Sequence, residues 1–520
     1  MKKVLLIYPN TSNIAWISTA IPILCGIAKE HNCETAYFDT YRYHKSVSSN
    51  NEKEMQGGFK PGYQFIFKEQ LPYEKIIIDL QRQIDSMIPD LIVVTALSAD
   101  YEFFISFWSK IRLSSEVKVV IGGIHSILAP DAVAESSFFD LVCIGQAETI
   151  FPQILSRMLS NSTLDGIAGT YYFDRPIKKI KKYPPPRLLP SSELWNCEWD
   201  FSKFNDDYFF RPFDGQTIRR YDIEIARGCP YNCNYCGNSA LKAAFISHGD
   251  PASNFLTIRP LESSFAHFKK MLLERQIDIF QFTDECFLAH PIKWLDEFME
   301  RYSKECARPF IFQTRPETVS EEKIGLLKKF AIPFQVSIGV ESGAEHILND
   351  ICNRKCKSEQ VIYAFDILHR QDIRTNAFFM IGFPYETRND FFKTVELCRR
   401  IKPSVSSVAI FQPLPGQQLT RLCIEKGFIT GKEPLATFTS HSVLDMPAPY
   451  LSAKEIKNLW RTFVLYSTLP LDYYSDIQKC ETDYENNIEL FDQLIKLRWQ
   501  YDYAKERQEL SLLKFLGRAE

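Results

Sequence analysis

Apolar residues in the first 160 positions gather in short unbroken runs. VLLIY (4–8), TAYFD (35–39), LIVVTAL (91–97), VKVVIGG (117–123) and LVCIG (141–145) are separated by stretches of helical period at 20–31, 74–88, 101–112, 130–136 and 147–159. Runs without alternation are strands covered on both faces, so the pattern predicts an α/β doubly wound parallel sheet. Such sheets bind ligands at the carboxyl ends of their strands. Here those ends carry Pro9 and Asn10, then Ser98, then Gly122-Gly123-Ile124-His125, then Gly145 to Glu148. Residues 44–72, polar and aromatic with Gly57-Gly58 and Pro61-Gly62, read as a loop inserted over that edge.

The period weakens between 161 and 220. GIAGTYYFD (166–174) reads as a small strand pair, the basic run Lys178 to Lys182 as a solvated strand edge, and Pro184-Pro185-Pro186 as linker. Alternation resumes at 221 and lasts to about 430. YDIEIA, DIFQFTD, PFIFQT, FQVSIGVE, TNAFFMIG and SVAIFQP each precede a helical stretch, which predicts a full or partial parallel barrel with its chemistry in the loops after the strands. The remainder, 431–520, is helical, charged and aromatic, and is expected to cap the barrel mouth. The chain thus divides into 1–160, a linker at 161–220, 221–430 and 431–520.

Charge changes this picture little. Lys plus Arg number 61 against 64 Asp plus Glu, a net charge of −3, so no global field draws the chain to nucleic acid or an anionic membrane. The uncharged N-terminal stretch Val4–Ala28 is broken by Pro9 to Asn13 and by Pro22. A spanning helix needs about 20 mostly apolar residues, so the reading is strand, loop and helix in a soluble cytoplasmic protein with no membrane span.

Cysteine changes it more. Fourteen cysteines are too few for a disulfide framework in a chain of 520 residues. Three fall together in Arg227-Gly228-Cys229-Pro230-Tyr231-Asn232-Cys233-Asn234-Tyr235-Cys236-Gly237, just after YDIEIA. Thiolates so close in one loop converge on a cation or cluster, and three are one short of a closed four-ligand site. An iron–sulfur cluster so held keeps one iron open. Structural zinc with a distant fourth ligand is the competing reading. Cys352 and Cys356 read as structural thiols, and Cys286 as a thiol that could face substrate.

This CxxxCxxC, with aromatic Tyr235 before the last cysteine, resembles the radical S-adenosylmethionine (radical SAM) superfamily and its cobalamin-dependent branch. The resemblance continues in order at later strand ends, over about 200 residues: Thr283-Asp284-Glu285, Gln313 and Arg315, Ser337 to Gly343 with Glu341, Gly382-Phe383-Pro384-Tyr385-Glu386-Thr387, and Pro413-Leu414-Pro415-Gly416. It implies a partial (β/α)6 barrel in which Cys229, Cys233 and Cys236 hold a 4Fe-4S cluster. It implies S-adenosylmethionine held by Tyr235, Thr283, Asp284, Glu285, Gln313, Arg315, Ser337, Glu341, Gly382 and Pro384. No Gly-Gly stands in the second-strand segment, so which carboxylate or carbonyl receives the amino group stays open.

The N-terminal sheet, through VLLIYPN, Pro89-Asp90-Leu91, VVIGGIH and DLVCIGQAE, resembles the cobalamin-binding domain of that branch. The resemblance implies cobalamin near Pro9, Asn10, Ser98, Gly122, Gly123, His125, Gly145 and Glu148. The Asp-x-His-x-x-Gly motif is absent, and His31 and His125 stand alone, so cobalamin would sit without a protein imidazole on cobalt. The expected reaction is methyl transfer to an unactivated carbon through a 5′-deoxyadenosyl radical. Rearrangement, ring closure or oxidation is the second reading, and a non-catalytic cluster or cobalamin sensor the third. Expected partners are a small-molecule or peptide substrate and an electron donor such as flavodoxin or ferredoxin, with no nucleic acid. Neither the substrate nor a catalytic side chain is assigned by the sequence.

Overall fold

The computed structural model describes residues 1–12, 14–43, 71–213, 216–434, 436–501 and 512–517. The expected inserted loop at 44–72 falls almost wholly outside them. The first sheet contains β1 (Lys3–Tyr8), β2 (Glu34–Asp39), β3 (Leu91–Thr95), β4 (Lys118–Gly122), β5 (Leu141–Cys143), β6 (Thr170–Asp174) and β7 (Lys179–Lys182), in the order β2-β1-β3-β4-β5-β6-β7. Its first five strands are parallel, and β6 and β7 are antiparallel. Leu5, Ile7, Ile92 and Val94 face one buried cluster while Val4, Leu6, Leu91 and Val93 face the other, which is why these strands read as unbroken apolar runs. The basic β7 is an edge whose Lys181 pairs with Asp165 and Asp174.

The second large sheet has the order β16-β15-β14-β13-β12-β9-β8. The hairpin of β8 (Phe210–Phe213) and β9 (Gln216–Ile223) leads, through the short β10 (Ala226–Arg227) and β11 (Thr257–Ile258), into β12 (Ile279–Phe282), β13 (Phe310–Thr314), β14 (Phe334–Glu341), β15 (Arg374–Ile381) and β16 (Val405–Ile410). Six strands, β9 and β12 to β16, run parallel, and only β8 is antiparallel. This is the partial barrel that the alternation predicts. Outward side chains such as Phe312, Val336, Ala377 and Val408 pack under the helices.

Two segments differ from their sequence reading. Residues 161–220, read as a linker, carry β6 to β8 and the start of β9, and they bury Trp195, Trp199, Phe201, Phe204 and Phe209 in the core cluster shared by both sheets. Aromatic bulk, invisible to a Pro-based linker signal, joins the two sheets. The C-terminal helix Ala453–Thr468 packs on β16 and the helix Arg388–Ile401, with Trp460 Nε1 donating to Val408 O at 3.0 Å. Leu512 and Leu513 cluster with Ile218, Ile279 and Ile311 at the amino ends of the barrel strands. The C-terminal region thus covers the barrel's flank and floor as well as the turns after β15 and β16, where Leu451 N donates to Glu386 O at 2.9 Å and Gln412 Nε2 to His441 O at 2.8 Å. No helix among the described residues is long and apolar enough to cross a membrane.

Candidate functional site

The cysteine loop leaves β10, which pairs with β11 in the register Ala226↔Ile258 and Arg227↔Thr257. Gly228 follows at φ 94°, and a Cβ there would lie 2.0 Å from Phe255 O. Only glycine fits that approach. The loop ends where Cys236 caps the helix Gly237–Ser247, so that helix's positive end lies beside its last thiol. Two later strand ends clamp the loop. Asn234 N donates to Cys352 O at 3.0 Å, Asn234 Nδ2 to Ile351 O at 2.9 Å, and Asn353 Nδ2 to Asn232 O at 2.9 Å. From the segment after β16, Leu419 N donates to Asn234 O at 3.2 Å and Gln417 Nε2 to Tyr235 O at 2.5 Å.

Cys233 is buried, and Cys229 and Cys236 are half-buried. Burial pushes the Cys229 thiol up to about 12 and Cys236 to about 11. To act as thiolate ligands, these thiols call for a cationic group beside them. Arg315 Nη1 donates to Cys233 Sγ at 3.3 Å, its guanidinium stands 3.8 Å above the Tyr231 ring, and Nη2 pairs with Glu317 at 2.6 Å. Arg354, only 4% exposed, donates to Gly339 O and to Tyr235 Oη at 3.2 Å and pairs with Glu341 at 3.4 Å. Soft donors, a helix N-terminus and a guanidinium aimed at sulfur suit an anionic metal–sulfur cluster. Arg354 was not foreseen, since it lies 119 positions from Tyr235 and in no motif.

The acidic pair after β12 splits its roles. Asp284 Oδ1 accepts from Ile225 N and Ala226 N, both at 2.9 Å, and Oδ2 meets His290 Nε2 at 2.9 Å. That carboxylate is committed to bracing the strand that feeds the cysteine loop. Glu285 instead lines a cavity of about 460 Å³ with Thr283, Glu224 and Asp222, and burial raises its pKa. Gln313 and Ser337 are register neighbours on β13 and β14, and inward-facing Ser337 is buried. Gly382 N donates to Glu386 Oε2 at 2.5 Å and Phe383 N at 3.2 Å, while Thr387 caps the helix Arg388–Ile401. Pro384 is buried in that turn, and the Phe383 ring meets Tyr235 edge-on at 5.5 Å.

The same cavity is walled on its far side by the first sheet. Gly122, Gly123, Gly145 and Glu148 line it, above Ile23, Leu24, Val93, Val120, Ile150, Phe151 and Ile154. Gly123, at φ 99°, has a reason of its own: a Cβ would lie 2.7 Å from Ala96 O, so glycine serves strand packing as well as the cavity. The other residues expected there do not line it. Asn10 Nδ2 donates to Ile14 O at 3.1 Å, Pro9 is buried beside it, and Ser98 Oγ meets His125 Nδ1 at 3.1 Å. His125 stacks on Tyr101 at 4.4 Å, and burial lowers its pKa to about 4. No imidazole is among the lining residues. Cys286 is buried against Thr314 Oγ1 at 3.3 Å, away from the lining, and Cys352 and Cys356 are buried in the core.

A fork unforeseen from sequence joins the two walls. Arg227 donates to Glu148 Oε1 at 2.9 Å and to Glu224 Oε2 at 3.0 Å, and lies 5.1 Å from the Trp195 ring centre.

Residues 223–398 match the model of the radical SAM superfamily. An uncharacterized methyltransferase of Pyrococcus horikoshii is 24% identical over 355 residues, 68% of this chain and 73% of that protein. The radical S-adenosylmethionine methyltransferase TsrM from Kitasatospora setae, solved with cobalamin and a [4Fe-4S] cluster, superposes with a TM-score of 0.59 at 15% identity, covering 82% of this chain and 75% of that one. The cobalamin-dependent S-adenosylmethionine radical enzyme OxsB, solved with aqua-cobalamin and S-adenosylmethionine, superposes with a TM-score of 0.61 at 14% identity, covering 99% and 80%.

Proposed function

With a radical SAM domain at residues 223–398 as its premise, we propose that this protein is a cobalamin-dependent radical SAM methyltransferase acting on an unactivated carbon. One observation carries the reading: the carboxyl ends of both sheets, through Gly122, Gly123 and Gly145 on one side and Thr283 and Glu285 on the other, wall a single cavity at the shoulders of the cysteine loop. When bound, the cluster and S-adenosylmethionine supply a hydrogen-abstracting radical, and cobalamin carries the methyl group.

The chain's own part is to bind, orient and exclude water. Cys229, Cys233 and Cys236 would ligate the cluster, with Arg315 stabilising the Cys233 thiolate. Glu285 faces the cavity without an arginine or lysine partner among its described contacts, so it suits an amino group. Asp284 holds the loop's entry rather than the cofactor. Tyr235, Gln313, Ser337, Glu341, Gly382 and Pro384 would border S-adenosylmethionine. The apolar wall from Ile23 to Ile154 and the strand-end glycines Gly122, Gly123 and Gly145 would hold cobalamin. The relative named a methyltransferase and the two solved folds support this assignment.

The test is anaerobic reconstitution with iron, sulfide and cobalamin, followed by reduction with S-adenosylmethionine. Cluster absorbance, 5′-deoxyadenosine and methylcobalamin should all appear, and Cys→Ser at 229, 233 or 236 should remove the 5′-deoxyadenosine. Its persistence without those thiols would refute the cluster assignment. 5′-Deoxyadenosine without any methylcobalamin would refute methyl transfer in favour of a rearrangement or ring closure.

A further inference from the structure

The proposed reaction needs an electron that the chain's own side chains do not supply. Cleaving the C5′–S bond of a sulfonium to a thioether and a carbon radical consumes one electron and moves no proton. The cavity serves substrate and cofactors, so a protein that delivers the electron needs a separate face. The cysteine loop has one. Pro230 and Asn232 are exposed on either side of Tyr231, next to buried Cys233, and neither lines the cavity.

The loop and its two clamps make this face, and they share a composition. None of the chain's 64 acidic residues falls in 225–249, 351–358 or 411–424, whereas Arg227, Lys242, Arg354, Lys355, Lys357 and Arg421 do. Arg227 and Arg354 turn inward, to Glu148 and to Tyr235. The other four border the outside. Lys242 Nζ donates to Pro230 O at 3.3 Å. Lys355 and Lys357 are exposed and follow Asn353, whose side chain donates to Asn232 O at 2.9 Å. Arg421 is exposed two positions after Leu419, whose amide donates to Asn234 O at 3.2 Å. Lys355, Lys357 and Arg421 have no ion-pair partner among the described residues. The nearest acidic residues along the chain, Asp350, Glu359 and Glu425, stand at the margins of these segments.

Stabilising a buried anionic cluster does not account for these cations. Exposed charges are screened beyond about 10 Å at 0.1 M salt, and Arg315 already meets Cys233 from within. In a chain of net charge −3, a local ring of unpaired cations steers an acidic partner to one spot. We propose that the outer face of the cysteine loop, bordered by Lys242, Lys355, Lys357 and Arg421, docks an acidic one-electron carrier protein, which loses one electron as the cluster gains one. This rests on the proposed function for placing the cluster, so binding and turnover are measured separately.

Full-length protein with its reconstituted cluster is titrated at low ionic strength with oxidised flavodoxin and, separately, with oxidised ferredoxin. Saturable binding of at least one is expected, weakening as salt is added. The K355E/K357E/R421E variant should bind at least about tenfold more weakly, and K355Q, K357Q and R421Q each about twofold to threefold more weakly. K179E, on the basic edge β7 of the first sheet, should leave binding within about twofold of wild type. Iron per chain and the 5′-deoxyadenosine formed with dithionite, a small reductant that needs no docking, should match wild type in every variant, while carrier-driven 5′-deoxyadenosine falls with the binding.

No saturable binding of either carrier, wild-type affinity in the triple and single variants, or an equal loss in K179E would overturn the proposal. So would an RNA oligonucleotide that binds the same face more tightly than either carrier and displaces it. Binding that follows the expected pattern while dithionite never yields 5′-deoxyadenosine would leave the surface standing and sink the proposed reaction instead.

Discussion

Two glycines bracket the cysteine loop at the same sequence distance, and the structure assigns them opposite tolerances. Gly228 precedes Cys229 at φ 94°, where any L side chain is strained by about 1–2 kcal/mol. Its added Cβ would also lie 2.0 Å from Phe255 O, on backbone tied to the β10–β11 ladder, so more than 1 Å of movement is needed to reach van der Waals contact. Steric conflict with fixed backbone places the total among the exceptional single substitutions, above about 4 kcal/mol. Gly237 follows Cys236 as the first helical residue, and a Cβ there meets nothing within 4 Å. Alanine at that position is neutral or gains up to about 1 kcal/mol of helix propensity. Gly228→Ala should lose most reconstituted iron and the cluster absorbance, while Gly237→Ala keeps both and unfolds at the same or a slightly higher temperature. A chain this long need not unfold in two states, so iron per chain is the primary readout. Equal iron in the two variants would refute the assignment of loop geometry to Gly228.

Asp284→Ala strands the Ile225 and Ala226 amides, at about 1–3 kcal/mol each, and should lower cluster content, whereas Glu285→Gln should keep the cluster and slow 5′-deoxyadenosine formation; the reverse pattern would exchange their roles. Arg227→Gln leaves Glu148 and Glu224 without their cation, a loss of about 3–5 kcal/mol, and should speed hydrogen exchange at the start of the helix Ala147–Leu159; unchanged exchange there refutes the fork as a tie. Asp39, hydrogen-bonded by Tyr37 and Tyr208 at 2.9 Å each, is raised to about 7 by burial. An unfolded aspartate titrates near pH ~3.9, so the folded state holds the extra proton and this contribution is complete below that pH and lost as pH climbs through 7. Thermal scans of wild type minus Asp39→Asn should therefore fall from pH 5 to 8, and a flat difference refutes the buried proton.

The strands were legible because parallel strands buried on both faces must be apolar, and the middles of β1, β3, β4 and β5 are such runs, whereas the edge strand β2 buries only Phe38. The cysteine loop was legible because its three thiols are close in sequence. The cavity was legible only in part: Gly122, Gly123, Gly145 and Glu148 reach it, but nothing in a one-dimensional pattern says that His125 turns to stack on Tyr101 instead. Arg354 was hidden for a related reason: its partner Tyr235 lies 119 positions away in the cysteine loop, so no local period marks the pair. The tail's helices announce themselves, yet amphipathic pattern does not say which surface they cover, and Trp460 settles it only through its bond to Val408 O.

Arg227 ties these observations together. It is the residue immediately before Gly228, its ladder partner is Thr257, and its guanidinium spans Glu224, just after β9, and Glu148, on the helix Ala147–Leu159. The position that holds the first sheet against the barrel is therefore the position from which the cysteine loop departs. Glu148, at a helix start lining the cavity, meets the loop's first shoulder through one ion pair, so occupancy of the first sheet's wall should order the cysteine loop. Adding cobalamin should consequently slow hydrogen exchange at Arg227 and Thr257 as well as at Gly145 to Glu148, and Arg227→Gln should confine the protection to the latter.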